Sequence, residues 1–243
     1  MSEPPDDHQF SEGDGFGDPY EGFDIDPPEL SVKPDEIDPV DDHVIPDLLD
    51  AGQISSGDID LDQLLGVGLE YMGINRYEEA IDTFERVVHF ADDESHTAQE
   101  ALVNKGVAQA ELEEWDEAIG AHRSALRIDE HGEHAAVAKT NLAYALWEYG
   151  QHDRALEHAE RAVELDERLP QAWYNRGFFL LERGMAEDAL FSLENAEKLG
   201  MRSEELFQEK AQALEELGKY DEAAEVKDQL DERRSAAEEA VFE

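Results

Sequence analysis

Three aspartates at alternate positions, Asp58, Asp60 and Asp62 in SGDIDLDQLLGVGL, are what a calcium loop needs at its start, since their oxygens can close around a hard cation. Such a loop also needs glycine at its sixth position and glutamate at its twelfth; here these are Gln63 and Leu69, and the match fails. His131 and His134 in HGEH share a helix face, yet no third ligand stands at a suitable spacing, so they read as solvent-facing histidines, as do His152 and His158. The glycine-rich EGDGFGD near Gly13 neither follows a strand nor opens a helix, which leaves a phosphate cradle without support. No nucleophile stands beside a recognisable base, and in so acidic a chain no particular carboxylate pair singles itself out for acid–base work. Without cysteine there are no disulfides and no thiolate metal sites. The expectation is a protein without catalytic residues, cofactor or metal, whose function is binding.

Composition narrows the partner. Against 63 Asp and Glu stand 19 Lys and Arg, a net charge of -44, which argues against nucleic acid as a direct ligand. Self-repulsion on this scale opposes compaction in dilute buffer; in molar salt the Debye length shrinks to about 3 Å and most of it is screened. The acidic, lysine-poor surface resembles the proteomes of halophilic archaea and suits a salt-rich cytoplasm; an ordinary acidic interaction protein is the alternative. With no basic start, no apolar leader and no run of about 18 apolar residues, a cytoplasmic protein with no membrane contact is expected.

The elements that must position a binding surface come from a repeat. The turn segments INRYEEAI, LEEWDEAI, YGQHDRAL, RGMAEDAL and LGKYDEAA place Ala80, Ala118, Ala155, Ala189 and Ala223 at spacings of 38, 37, 34 and 34. Twelve residues before each stands Gly68, Gly106, Ala143, Gly177 or Ala211, as for two helices crossing closely at small side chains. Leu61, Leu64, Leu65, Gly68, Leu69 and Met72 recur at helical spacing, with Asp58 or Asp60 placed to cap the first helix. Gly150, Gly184 and Gly218 stand where a first helix must stop, and Asp153, Glu187 and Asp221 where a second begins. Residues 1–57 differ: they hold all but one of the nine prolines and one basic residue, Lys33, and read as a disordered acidic tail. Phe10, Phe16, Tyr20, Phe23, Ile25 and HVIPDLLDAG punctuate it like short docking motifs, or as hydrophobes of a solvating arm.

This in-phase pattern resembles the tetratricopeptide repeat, a 34-residue pair of antiparallel helices with fixed small and aromatic positions. With Leu61, Gln99, Ala136, Pro170 and Glu204 as first positions, the small eighth and twentieth match in every copy. The seventeenth is aromatic as Tyr77, Trp115 and Tyr220 but departs as His152 and Ala186, and at the twenty-fourth only Phe84 is aromatic. The resemblance implies an all-α, right-handed superhelical solenoid. Its five repeats span about 61–94, 99–132, 136–169, 170–203 and 204–230 within a domain of 58–230, and 231–243 extends or caps the last helix. Extra residues around ADDESH and EHGEH lengthen the first two repeats, as added helical turn or as loop.

The same resemblance implies a peptide-binding concave groove lined by positions 2, 5, 9, 12 and 13 of the first helices. Carried over, these give Leu65, Leu69, Met72, Val103, Val107, Thr140, Tyr144, Trp147, Tyr174, Phe178 and Leu181, rimmed by Glu111, Glu148, Glu182 and Glu216; the fifth repeat offers Gln208, Gln212 and Glu215 instead. Asn104, Asn141 and Asn175 occupy the sixth position, but without lysine or arginine at the other ligand-facing positions a carboxylate clamp is not expected, and these asparagines are expected to bond backbone within the stack. The function so implied is a non-enzymatic adaptor or scaffold that takes an apolar or aromatic peptide or helix of a protein partner. A self-assembling structural module, an adaptor regulated by its own acidic tail, and aromatic residues that simply pack between repeats are the alternatives.

Overall fold

Each first helix ends in the same backbone device. At the fifteenth position of all five repeats φ is positive, at Asn75 (59°), Glu113 (61°), Gly150 (85°), Gly184 (73°) and Gly218 (72°). The next residue's N–H returns to the carbonyl five residues back, as in Arg76 to Tyr71 (2.9 Å), Gln151 to Leu146 (2.8 Å) and Lys219 to Leu214 (2.9 Å). This closes the helix in a left-handed turn and reverses the chain within about three residues. Asparagine tolerates that conformation and glycine adopts it freely, whereas Glu113 carries a Cβ strained by about 1 kcal/mol.

In the computed structural model the described residues are 60–92, 95–132 and 134–241, with side chains described as far as 235; they lie within one compact unit, Ile54–Glu243. The acidic tail over 1–57, its docking motifs, its glycine run and Asp58 fall outside them. The described residues form ten α-helices and no strand: α1 Leu61–Gly73, α2 Tyr77–Phe90, α3 His96–Glu111, α4 Trp115–Ile128, α5 Ala135–Glu148, α6 His152–Leu165, α7 Pro170–Glu182, α8 Ala186–Lys198, α9 Glu204–Glu216 and α10 Tyr220–Val241. Asp60 caps α1, its carboxylate accepting from Gln63 N–H at 3.0 Å, while Ser95 and Ser203 do the same for α3 and α9. Acidic residues fill the first turn of every second helix: Glu78 and Glu79, Asp116 and Glu117, Asp153, Glu187 and Asp188, Asp221 and Glu222. They meet its positive end.

Sequential helices pack in antiparallel pairs and pair packs on pair, so α1 to α10 form one two-layer array of helix on helix. Each first helix also touches the first helix of the neighbouring pair, α1 on α3, α3 on α5, α5 on α7 and α7 on α9, whereas no second helix packs comparably on another. The first-helix layer therefore lies on the inside of the curve.

Within a pair, packing hinges on the small eighth residue. A Cβ on Gly68 would sit 2.4 Å from the Phe84 ring, one on Gly106 2.5 Å from the His122 ring, and one on Gly177 2.8 Å from Leu193. In each case the first helix omits a side chain so that a bulky residue of the second can lie flat on its backbone. His122 thus occupies the place that Phe84 fills one repeat earlier; it is fully buried, and neither ring nitrogen has a hydrogen-bond partner. The added residues of the first two repeats are shared between loop and helix, because α3 starts at His96, before the repeat's first position, and Asp129 closes the turn before α5 by accepting from the N–H groups of His131 and Gly132 (both 2.9 Å). Buried Gln99 ties this junction by donating to the carbonyls of Ala125 (3.1 Å) and Asp129 (2.6 Å). The last helix runs unbroken past 230 to Val241, with Arg233 over the Phe207 ring (4.7 Å) and Arg234 paired with Glu204.

Two outcomes follow. Burial holds His122 neutral down to about pH 4, below its ordinary 6.5. Between these values the unfolded chain takes a proton that the folded chain refuses, so stability falls with pH through that window, by about 3 kcal/mol at its lower end. Replacing His122 with Phe, the residue already accommodated at the equivalent place, removes this component, so chemical denaturation of the variant shows a shallower loss of stability from pH 6.5 to 4. Glu113→Gly relieves the strained turn and raises the melting temperature, a gain of up to about 1 kcal/mol, whereas glycine at an exposed interior helix position lowers it.

Candidate functional site

The inner layer presents one face of five consecutive first helices, and the junctions between them decide what it exposes. Leu65 packs with Ala101 and Ala108 of α3, Val103 with Ala138 of α5, and Leu181 with Ala211 and Leu214 of α9; all three are buried. Thr140 is buried too, donating to the Ala136 carbonyl (2.8 Å) while its own carbonyl accepts from Asn175 (3.1 Å). These positions are covered because the neighbouring first helix crosses over them, so they lie in the wall between repeats and present no surface to a ligand.

The remaining residues of the set keep an open edge. Leu69 and Tyr144 are 41% and 43% exposed, and Met72, Val107, Trp147, Tyr174 and Phe178 are half-buried. An aromatic cluster occupies the middle of this face: Trp147 stacks on buried Phe179 (centroids 4.5 Å apart, planes 12° apart) and meets Phe178 edge-on at 5.4 Å and His152 at 4.2 Å. Tyr144 stands edge-on to Trp115 at 5.9 Å. Trp147 is therefore as much a packing residue as a surface one, whereas Tyr144 projects further.

Carboxylates frame the face. Glu111, Glu148, Glu182 and Glu216 are exposed at the thirteenth position, and Glu111 accepts a hydrogen bond from the Tyr77 hydroxyl (3.3 Å). Burial, then Glu209 and Glu205, push the Tyr174 hydroxyl up to about 12; burial, then Glu148 and Glu111, raise that of Tyr144. Both rings therefore keep their protons as hydrogen-bond donors at any physiological pH. Asn104 donates to the Glu100 carbonyl (3.0 Å) and Asn175 to that of Thr140, so their amides bond backbone. At the same sixth position α9 carries Glu209, which sequence reasoning passed over; the interruption of the asparagine run was the signal available. His131 is exposed and His134 half-buried at the entry to α5, and no group of three or more His, Asp or Glu among the described residues is arranged to hold a metal ion. No described helix is long and apolar enough to cross a membrane.

Helix pairs stacked in one direction, with an aromatic inner face and close small-residue crossings, define a helical-repeat solenoid. Residues 97–168 and 140–202 match family models described as tetratricopeptide repeat. Solved structures share the fold. The MamA protein of Desulfovibrio magneticus RS-1 is 18% identical, with 73% of this chain and 97% of that one covered at a TM-score of 0.59. PilF of Pseudomonas aeruginosa is 20% identical, with coverage of 71% and 75% and a TM-score of 0.62. YrrB, described as a TPR protein with an unusual peptide-binding site, is 20% identical, with coverage of 69% and 82% and a TM-score of 0.52. No curated protein matches.

Packing separates two neighbouring aromatics. Trp147→Ala empties the stack on Phe179 and costs about 3 kcal/mol, while Tyr144→Ala leaves the core intact and costs under about 1 kcal/mol. Thermal unfolding of the two variants in molar KCl is expected to show a drop of several degrees for the first and little change for the second.

Proposed function

We propose that this protein is a non-enzymatic adaptor whose concave first-helix face takes an apolar or aromatic segment of a protein partner. The observation that carries the reading is the row of partly open apolar side chains, Leu69, Val107, Tyr144 and Phe178, at one equivalent position on four successive first helices. Monomeric proteins seldom leave such a continuous strip uncovered, and aromatic side chains lining a concavity are where binding energy concentrates. The solved structure of YrrB, with the same fold and a peptide-binding site named in its description, supports the reading by analogy. Repeat arrays of this kind serve as scaffolds. The surface charge is the adaptation of a cytoplasmic protein to a salt-rich interior, where screening removes the self-repulsion of a net -44.

Leu69→Ser and Tyr144→Ser alter exposed positions near one end and the middle of the strip, so both variants fold. A photo-crosslinking residue at Val107 in the full chain, activated in high-salt lysate, is expected to trap a protein partner whose yield falls at least several-fold in the double variant. The same trapped species at the same yield with and without the two serines would show that the strip is not the binding face.

A further inference from the structure

Resting on that groove reading, we infer that the part of the concave face between α5, α7 and α9 recognises a cation, the guanidinium or ammonium of an arginine or lysine on the partner segment. This cation would be seated over Tyr174 and Tyr144 and paired with Glu209 and Glu182.

Glu209 is the centre of this seat. Where α3 and α7 place an asparagine whose amide donates to a backbone carbonyl, α9 places a carboxylate, which cannot donate. The side chain is half-buried, and its Oε2 is closed off from solvent without any hydrogen-bond partner. A carboxylate with one oxygen shut away unpaired carries an uncompensated charge, and the open part of the half-buried group is where a cation from outside can meet it. Burial, and after it the charge of Glu182, already raises the Glu209 pKa, the response of an anion lacking its counter-charge.

Nearby cations of the array do not supply it. Lys210, next in sequence, is turned to Glu197 on the preceding second helix (2.8 Å). Arg176 donates to the Ser192 hydroxyl, and Arg183 pairs with Asp153 at 2.9 Å. At positions 2, 5, 6, 9, 12 and 13 of the five first helices there is no lysine or arginine, whereas glutamate stands at Glu100, Glu205, Glu209, Glu215, Glu111, Glu148, Glu182 and Glu216. The two tyrosines complete the seat, because an aromatic face attracts a cation at close range and does so more strongly when partly desolvated. A half-buried pair is also screened less than an exposed one, so this recognition survives the molar salt that silences the rest of the acidic surface. Charge decides among occupants: residues 1–57, with Lys33 as their one basic residue, have the wrong sign for this seat, and a basic segment of another protein has the right one.

The test uses the full chain in molar KCl and four matched sets of short fluorescent peptides, with one randomised apolar and aromatic frame around a central arginine, lysine, citrulline or glutamate. Citrulline keeps the shape of arginine and removes its charge. Binding by anisotropy is expected to be about tenfold tighter for arginine than for citrulline. Glu209→Gln, with its fold checked by circular dichroism, is expected to reduce that ratio to near one while leaving citrulline binding unchanged. Equal affinity for arginine and citrulline, or an arginine preference that survives Glu209→Gln, overturns the cation seat and leaves an apolar groove standing. Preference for glutamate overturns it in favour of an acidic occupant such as the chain's own tail. If no set binds and Tyr144→Ser changes nothing, the groove reading fails, and the cation seat with it.

Discussion

Close approach of two helix backbones at a residue without a side chain is the constraint on which the rest of this structure depends. Gly68, Gly106 and Gly177 let a bulky group from the second helix lie against the first, and Ala143 and Ala211 hold the same register in the other pairs. With that distance set, the direction of each pair is set by the left-handed turn between its helices, and the next pair can stack only in one way. The inner face is then a by-product. First helices touch their neighbours and swallow Leu65, Val103, Thr140 and Leu181, and what remains uncovered is the strip from Leu69 to Phe178.

The surface charge and the interior follow different rules. Ion pairs of Lys105 with Glu85 (2.6 Å) and Lys210 with Glu197 (2.8 Å) run from the seventh position of a first helix to the second helix of the preceding pair, so these two lysines sit at joints between pairs. Both lysines are half-buried, so each pair holds one element in a fixed orientation against the preceding one. The interior admits polar groups sparingly: Gln99 is held by two carbonyls, while His122 is tolerated only as a neutral ring lying where an aromatic would serve.

Helices, their order and the turns between them were legible in the sequence because each follows from a few adjacent residues. Small residues at positions 8 and 20 mark the crossing, and Gly150, Gly184 and Gly218 mark the reversal. Asn75 and Glu113 take the same backbone conformation without announcing it, since neither type is confined to it. The face was legible only in part. Which side of a helix looks inward follows from periodicity, but how far the next helix rides over it is set by side chains thirty or forty residues away, and so Val103 and Leu181 vanish into the wall while Tyr144 stays open. Glu209 was hidden for a different reason: in a chain with 63 acidic residues one more glutamate carries no signal until its surroundings deny it a partner.

The contact pattern of the two layers also gives the array a mechanical character. First helices are bonded to one another along the inside, while second helices are linked chiefly through them. Such a stack behaves like a leaf hinge repeated four times, stiff along its inner seam and compliant on its outer side. A pull on its ends would straighten it by spreading the first helices along that inner seam while the outer helices, which do not pack on one another, draw closer together. The curvature of the concave face, and with it the width offered to a ligand, can therefore change by small rotations at the joints while every helix pair stays folded.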